Sequence, residues 1–285
     1  MKEGGDPFGT DFQRARLRGF VHAIGSALSG HSRELLAFDE VREKLHLGGP
    51  VYRGVQAVPL DKIRGSVNRY RDFDRLFLPT QSHTADRWRK VNRAWYQEIS
   101  LPPVILYKVG EVYFVVDGNH RVSVARDRGQ TYIDAEVREV AARVPVTSDL
   151  RPEDLVRLGA RVEFLERTEI DRLLPKARIE PTILGGYDRL IEHIAVHRYF
   201  LALERGQPVS SDEAVAHWYE SLYLPVVEVI ERSGILRELP GRTATDMYLW
   251  TMDHLHYLRS EKGLLEVTPA SAAADLIESI DEDDS

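Results

Sequence analysis

The chain has 285 residues, 43% of them hydrophobic and 29% charged, with a formal net charge of -7 and no cysteine. That is enough apolar material for one large or two ordinary cores, and the missing cysteine excludes disulfides, thiolate metal sites and cysteine nucleophiles. No apolar run approaches the ~18 residues of a membrane-spanning helix, and residues 1–11 lack the apolar stretch of a secretory signal, so a cytoplasmic protein without a membrane partner is expected.

Residues 1–11 are Gly-rich and polar and read as a disordered start to a helical lead-in over residues 1–50. From Phe12 to about Leu47 the pattern is helical. Leu17, Phe20, Val21, Ile24 and Leu28 recur at three- and four-residue steps, and Leu35, Leu36, Phe38, Val41 and Leu45 continue after Gly30. Gly48-Gly49-Pro50 stops the helix. Residues 51–142 form the first domain. Residues 51–59 are extended and 58–63 lead from a strand end into a short turn. Residues 61–93 hold nine Lys and Arg against four Asp, an excess that suits phosphate or nucleic acid and equally suits a solvated face. A helix over 84–99 carries Trp88, Val91 and Trp95, with the tryptophans read as core, and Ser100-Leu101-Pro102-Pro103 ends it. Strands at 104–107 and 112–116 flank a Gly110-Glu111 turn as a hairpin. A helix over 120–128 ends at Gly129, and a strand follows at 132–140.

Residues 143–186 read as a linker with short helices near 152–158 and 169–174. An all-helical domain over 187–268 follows, with helices at 187–205, 211–222, 225–233 and 243–262; Ser210 and Glu213 make a capping box at the second. The stretch 269–285 is an acidic tail with room for one short helix before a disordered 281–285. Residues 263–285 carry seven acids and no Lys or Arg, which leaves the rest of the chain formally neutral.

The chemistry concentrates at Val115-Val116-Asp117-Gly118-Asn119-His120-Arg121. A buried strand ends, a glycine permits a tight turn, and a helix begins whose first N–H groups have no intrahelical partner. The helix dipole is positive there, and Gly118 lets an anion approach without a Cβ in the way. Arg121 and His120 add a guanidinium and an imidazole, so the turn is an anion site. Asp117 beside it suggests a magnesium ion or a base. The same residues also read as an ordinary turn with Asp117 as helix N-cap. In the Asn68-Arg69-Tyr70-Arg71-Asp72 turn, Arg69 and Arg71 are candidates to hold distal phosphates and Asp72 to position a metal or nucleophile; a salt-bridged surface turn is the alternative. His193 and His197 lie four apart on one helix face, a metal-compatible spacing, but without the Glu of a zincin. No protein zinc site is expected.

The order Val58–Ile63, Asn68-Arg69, the Trp88 helix, Pro102–Gly118, His120–Gly129 and Tyr132–Val140 resembles the ParB/sulfiredoxin superfamily over roughly 80 residues. The resemblance implies an α+β mixed sheet with helices and a turn that binds nucleotide phosphates with magnesium. In ParB partition proteins the turn is Gly-Glu-Arg-Arg and holds CTP. Gly118, Arg121 and Ala125 match it, while Asn119 and His120 depart. Sulfiredoxins place a catalytic Cys before His-Arg. Here Asn119 stands at that place, so reductase chemistry is excluded although His120-Arg121 fits. In the ParB-like free serine kinases the turn is Asp-Gly-His-Thr-Arg; Asp117, Gly118 and Arg121 match and Asn119 and His120 do not. The stretches EHIAVHRYFLALERG, EAVAHWYESLYLPVVEVI and LPGRTATDMYLWTMDHLHYL resemble a bacterial family of unknown function that accompanies ParB-like domains.

The expected function is nucleotide binding, CTP or ATP with magnesium, with slow hydrolysis as a switch. Asp117 and Asp72 are the catalytic candidates, and Gly118, Asn119, His120, Arg121, Arg69 and Arg71 the binding candidates. The alternatives are a serine-type small-molecule kinase and a DNA-associated regulator or partition-like protein. For the last, residues 210–235 would be a helix-turn-helix, although the third helix is apolar and acidic where base readout needs Arg, Lys, Asn or Gln. Weak DNA binding and a homodimer are the further partners considered.

Overall fold

The protein is described by a computed structural model that covers residues 7–29 and 35–283. The chain divides into two compact units, Met1–Gly159 and Ala160–Ser285, and the boundary falls inside one helix, Asp154–Thr168. No helix among the described residues is long and apolar enough to cross a membrane.

The first unit opens with α1 (Pro7–Ser29), β1 (Leu36–Ala37), α2 (Phe38–Lys44), β2 (Val51–Pro59) and β3 (Ile63–Ser66). It continues with α3 (Ala85–Tyr96), the hairpin β4 (Val104–Val109) and β5 (Val112–Asp117), α4 (Asn119–Asp127), β6 (Tyr132–Val140) and the start of α5 (Asp154–Thr168). The strands form one mixed sheet in the order β1-β3-β5-β4-β6-β2. Pairs β1–β3, β3–β5 and β4–β6 are parallel, and pairs β4–β5 and β2–β6 are antiparallel. This is the α+β mixed sheet expected from the sequence.

The central strand β5 reads Val-Tyr-Phe-Val-Val-Asp, and its first four side chains are buried, as a strand covered on both faces requires. Leu106, Val115, Val122, Ala125 and Val137 share one core. Strand β3 passes close to its neighbours: a Cβ on Gly65 would sit 2.4 Å from both the Leu36 carbonyl oxygen and the Phe114 ring. Only glycine allows that approach. Phe12 and Ala15 of α1 pack with Trp88 and Val124, and the buried Trp88 indole donates to Ser123 Oγ at 3.0 Å. Trp88 is therefore core, as expected. Trp95 is exposed and lies under the Arg128 guanidinium, 5.0 Å from its ring centroid.

Several boundaries differ from the sequence reading. The helix expected over 12–47 is interrupted by β1, and the part of it at 30–34 lies outside the described residues, as does the start of the disordered segment at 1–6. Residues 7–11 are helical rather than disordered.

The second unit is all helical. Its elements are the rest of α5, α6 (Ile170–Leu173), α7 (Gly186–Arg205), α8 (Ser211–Trp218), α9 (Leu224–Ser233), α10 (Ala244–Ser260) and α11 (Pro269–Asp283). Its core centres on Trp218, Tyr223 and Tyr248; Trp218 Nε1 donates to Tyr248 Oη at 3.0 Å. The buried Asp246 carboxylate closes the capping box of α10 with Thr243 and accepts from Thr182 N at 2.7 Å and Thr182 Oγ1 at 2.6 Å. The helices expected at 211–222 and 225–233 are one continuous run, because a π-helical stretch, Tyr219–Tyr223, joins α8 to α9. The wider turn absorbs the missing N–H of Pro225. No turn separates the two, so residues 210–235 are not a helix-turn-helix. The acidic tail forms a full helix, α11, that includes Asp281–Asp283, and not one short helix before a disordered end.

Candidate functional site

Strand β5 ends at Asp117 and α4 starts at Asn119, with Gly118 between them at φ +108°. A Cβ at Gly118 would lie 2.6 Å from Val104 Cγ1 and 3.1 Å from Arg121 Cζ. Glycine is thus demanded by the positive φ and by β4 packed behind the turn, a different reason from the anion approach expected from the sequence. Gly118, and not Asp117, occupies the N-cap position of α4, and no side chain caps the helix there. The expected capping of the helix by Asp117 is therefore not seen. Val122 N donates to the Gly118 carbonyl at 3.0 Å, so the N–H groups of residues 119–121 are the ones α4 leaves without helical partners.

Around this helix start lies a cleft of about 490 Å³ lined by Asn68, Arg69, Arg87, Lys90, Asp117, Gly118, Asn119, His120 and Arg121, among others. Four cationic side chains therefore face one carboxylate. Arg87 and Lys90 come from α3, are exposed, and form no ion pair among the described residues. Sequence reasoning counted both in the basic stretch 61–93 without assigning them to the site. The packing of α3 against α4 brings them there, and only the local charge excess hinted at it.

Asn119 and His120 are buried, at 6% and 9% relative exposure, yet Asn119 Oδ1 and both His120 ring nitrogens have no hydrogen-bond partner. Unbonded buried polar atoms are costly and uncommon. Burial, followed by the charges of Arg69 and Arg87, pushes the His120 pKa down to about 4. The ring is therefore neutral at pH 7, one nitrogen a donor and the other an acceptor.

Arg121 is already engaged. Its guanidinium donates to the carbonyls of Pro102 and Pro103, the latter at 2.9 Å, and to Asp117 Oδ2 at 2.5 Å. A ligand would have to share it. Asp117 itself is largely exposed, with 68% of its side chain accessible. Arg121 also lines a neighbouring cleft of about 330 Å³, together with Trp95, Pro102, Val104 and Tyr132.

In the preceding turn, Arg69 donates through Nη1 to Asp72 Oδ2 at 2.8 Å, and His83 Nε2 lies 3.3 Å from Asp72 Oδ1. Asp72 therefore stands behind Arg69, outside the residues that line the cleft, with His83 as a neighbour that sequence reasoning did not single out. Arg71 is exposed and sits over the Tyr70 ring, 5.5 Å from its centroid, also outside the lining. The structure thus gathers Arg69, Asp117, Gly118, Asn119, His120 and Arg121 and leaves Asp72 and Arg71 at the margin. In the second unit, His197 Nε2 lies 2.8 Å from His217 Nδ1. No group of three or more His, Asp or Glu side chains suited to a metal occurs among the described residues.

No protein-family model and no curated protein matches the chain. Among solved structures it is similar to sulfiredoxin from Arabidopsis thaliana, at 20% identity and a TM-score of 0.25, over 31% of this chain and 89% of that one. It is also similar to the C-terminally truncated chromosome-partitioning protein ParB from Caulobacter crescentus complexed with CTP-gamma-S. There the identity is 13% and the TM-score 0.24, over 79% of this chain and 99% of that one.

Proposed function

We propose that the first unit binds a nucleoside triphosphate, CTP or ATP, in the cleft at the start of α4, and that slow hydrolysis acts as a switch. The observation that carries this reading is the set of buried, unbonded atoms Asn119 Oδ1, His120 Nδ1 and His120 Nε2 beside a cationic rim. The helix N–H groups and the cations suit phosphate oxygens. Asn119 Oδ1 accepts only, so it needs a donor such as a hydroxyl or a metal-bound water. A nucleotide adds the fixed hydroxyl donors of its sugar to its phosphate oxygens, whereas pyrophosphate offers mainly oxygen acceptors. The cleft volume of about 490 Å³ is within the ligand-site range of roughly 300–1,000 Å³.

Magnesium is commonly held by one or two carboxylates together with phosphates and water. Asp117 is the one carboxylate lining the cleft, so the donor set fits an ion held mainly by the ligand, with Asp117 supplying the protein oxygen. There the ion would neutralise phosphate charge.

Calorimetry with CTP, ATP and pyrophosphate tests the reading. A triphosphate nucleotide should bind more tightly than pyrophosphate, and Asn119→Leu should erase that difference. Equal binding of pyrophosphate and both nucleotides would remove the nucleotide from the account.

One observation favours a serine-type kinase as the second reading: Asp72 holds His83 at 3.3 Å beside Arg69. A carboxylate–imidazole pair is suited to taking a proton from a hydroxyl. Phosphate transfer to serine, lost in His83→Ala, would promote it. The DNA-associated reading rests on the basic stretch 61–93 alone. It predicts weak binding that falls steeply with salt.

A further inference from the structure

A second concentration of positive charge lies at the opposite end of α4, with the carboxylates of Asp74 and Asp61 near it. Arg126 is in the last turn of that helix. Its guanidinium donates to the carbonyls of Leu60, Ile63 (2.7 Å) and Arg75 (3.2 Å) and sits over the Phe77 ring, 5.0 Å from its centroid. It thus pins the β2–β3 connection with a charge that has no carboxylate bonded to it among the described residues. Beside it, Arg64 Nε is buried and has no hydrogen-bond partner, and neither does Arg126 Nε. Arg64 makes no ion pair among the described residues, and Asp61 and Lys62 nearby are likewise unpaired.

Lys62, Arg64 and Arg126 line a cleft of about 740 Å³ with Thr131 and the exposed ring of Tyr132; Asp61 is its one carboxylate. Burial, then the Arg64 charge, pushes the Arg126 pKa down to about 10. Like charges held together in a partly desolvated cleft are unfavourable, and an anion between them relieves the repulsion. The planar guanidinium of Arg64, with an N–H still to be bonded, matches phosphate geometry, and Thr131 and Tyr132 offer hydroxyls at the rim.

We propose that the cleft lined by Lys62, Arg64 and Arg126 is a second anion site that takes a phosphate group, presented by a free phosphate ester or by a nucleic-acid backbone. It is separate from the cleft at the start of α4, and no lining side chain of that cleft belongs to it.

The test is nitrogen-15 NMR of the full chain, following the side-chain Nε–H of Arg64 and Arg126 as inorganic phosphate is added. Arg64→Gln assigns the first signal. A saturable shift of the Arg64 Nε–H is expected, retained in Lys90→Ala and weakened by about fivefold in Lys62→Ala. A parallel titration uses a short single-stranded oligonucleotide. The same shift at a lower phosphate concentration identifies the backbone as the source; a shift only with inorganic phosphate identifies a free ester. No saturable shift with either, or a shift abolished by Lys90→Ala, would overturn the second site while leaving the first untouched.

Discussion

The His120 ring stands edge-on to Phe73, with centroids 5.3 Å apart, so the imidazole that opens α4 is held by an aromatic contact and by no hydrogen bond. Its position is set by packing, and both of its nitrogens are buried and unbonded. The pKa near 4 follows from the same enclosure, with burial first and the Arg69 and Arg87 charges after it.

Stability should therefore depend on pH through His120. The folded value of about 4 lies below the ordinary 6.5, so between these pH values the unfolded chain binds the extra proton. The contribution is complete above about pH 6.5 and is lost as pH falls toward 4. Urea unfolding at pH 7 and pH 5 should show a smaller pH effect in His120→Gln than in the unsubstituted protein. An equal slope in both would mean that the ring is not desolvated.

An anion in the cleft should raise the His120 pKa, because a negative charge favours the imidazolium. Binding of sulfate, an anion whose charge is constant in this range, should then take up a proton at His120, most strongly between about pH 4 and 6. Calorimetry in buffers of different ionisation enthalpy measures that uptake; release of a proton on binding would contradict it.

Arg87→Ala with Lys90→Ala should weaken nucleotide binding by about 1–3 kcal/mol while leaving the midpoint of unfolding nearly unchanged. Both side chains are exposed and without ion pairs among the described residues, and such surface substitutions alter stability by about 0.5 kcal/mol or less. Calorimetry and thermal denaturation of the same sample separate the two effects.

Gly118→Ala should act the other way. The new Cβ would meet Val104 at 2.6 Å in a residue whose φ is +108°, so about 1–3 kcal/mol of stability should be lost from backbone strain alone. Chemical denaturation checks it, and an unchanged midpoint would mean that β4 yields at no cost.

In the second unit, burial pushes the Asp246 pKa up, but the hydrogen bonds from Thr182, Thr243 and Ile183 hold it below the ordinary carboxylate value. Its stabilisation is present above that ordinary value and is lost as pH falls through the lowered one. Asp246→Ala removes the cap and strands the Thr182 donors, at a cost of about 2–4 kcal/mol. Urea unfolding followed by tryptophan fluorescence from Trp218 reports it.

The hairpin of β4 and β5 and the helix after it were legible because apolar runs, a Gly-centred turn and a polar helix start all agree within twenty residues. Strand β3 was not, since Ile63-Arg64-Gly65-Ser66 has neither alternation nor β-rich composition; its place is dictated by Phe114 and Leu36 packed on Gly65. Strand β1 is two residues, Leu36-Ala37, that continue a helical spacing. Pro225 reads locally as a helix start, and only the π turn in the chain shows that the helix runs through it. Of the site, Asp117 to Arg121 was legible as one segment. Arg87 and Lys90 were not assigned, because a tertiary approach of α3 puts them there. Arg121 looked free for a ligand until the Pro102 and Pro103 carbonyls were seen to share its guanidinium.

The most direct test of the central claim is a thermal-shift series with CTP, ATP, their monophosphates and pyrophosphate, each with and without magnesium, on the full chain and on Arg87→Ala/Lys90→Ala. Ligand bound to the folded state alone raises the midpoint in proportion to the logarithm of its concentration. The account predicts the largest rise with one triphosphate plus magnesium, smaller rises with its monophosphate and with pyrophosphate, and loss of the rise in the double variant. The same midpoint with every ligand, or a rise that survives the double variant, would contradict it.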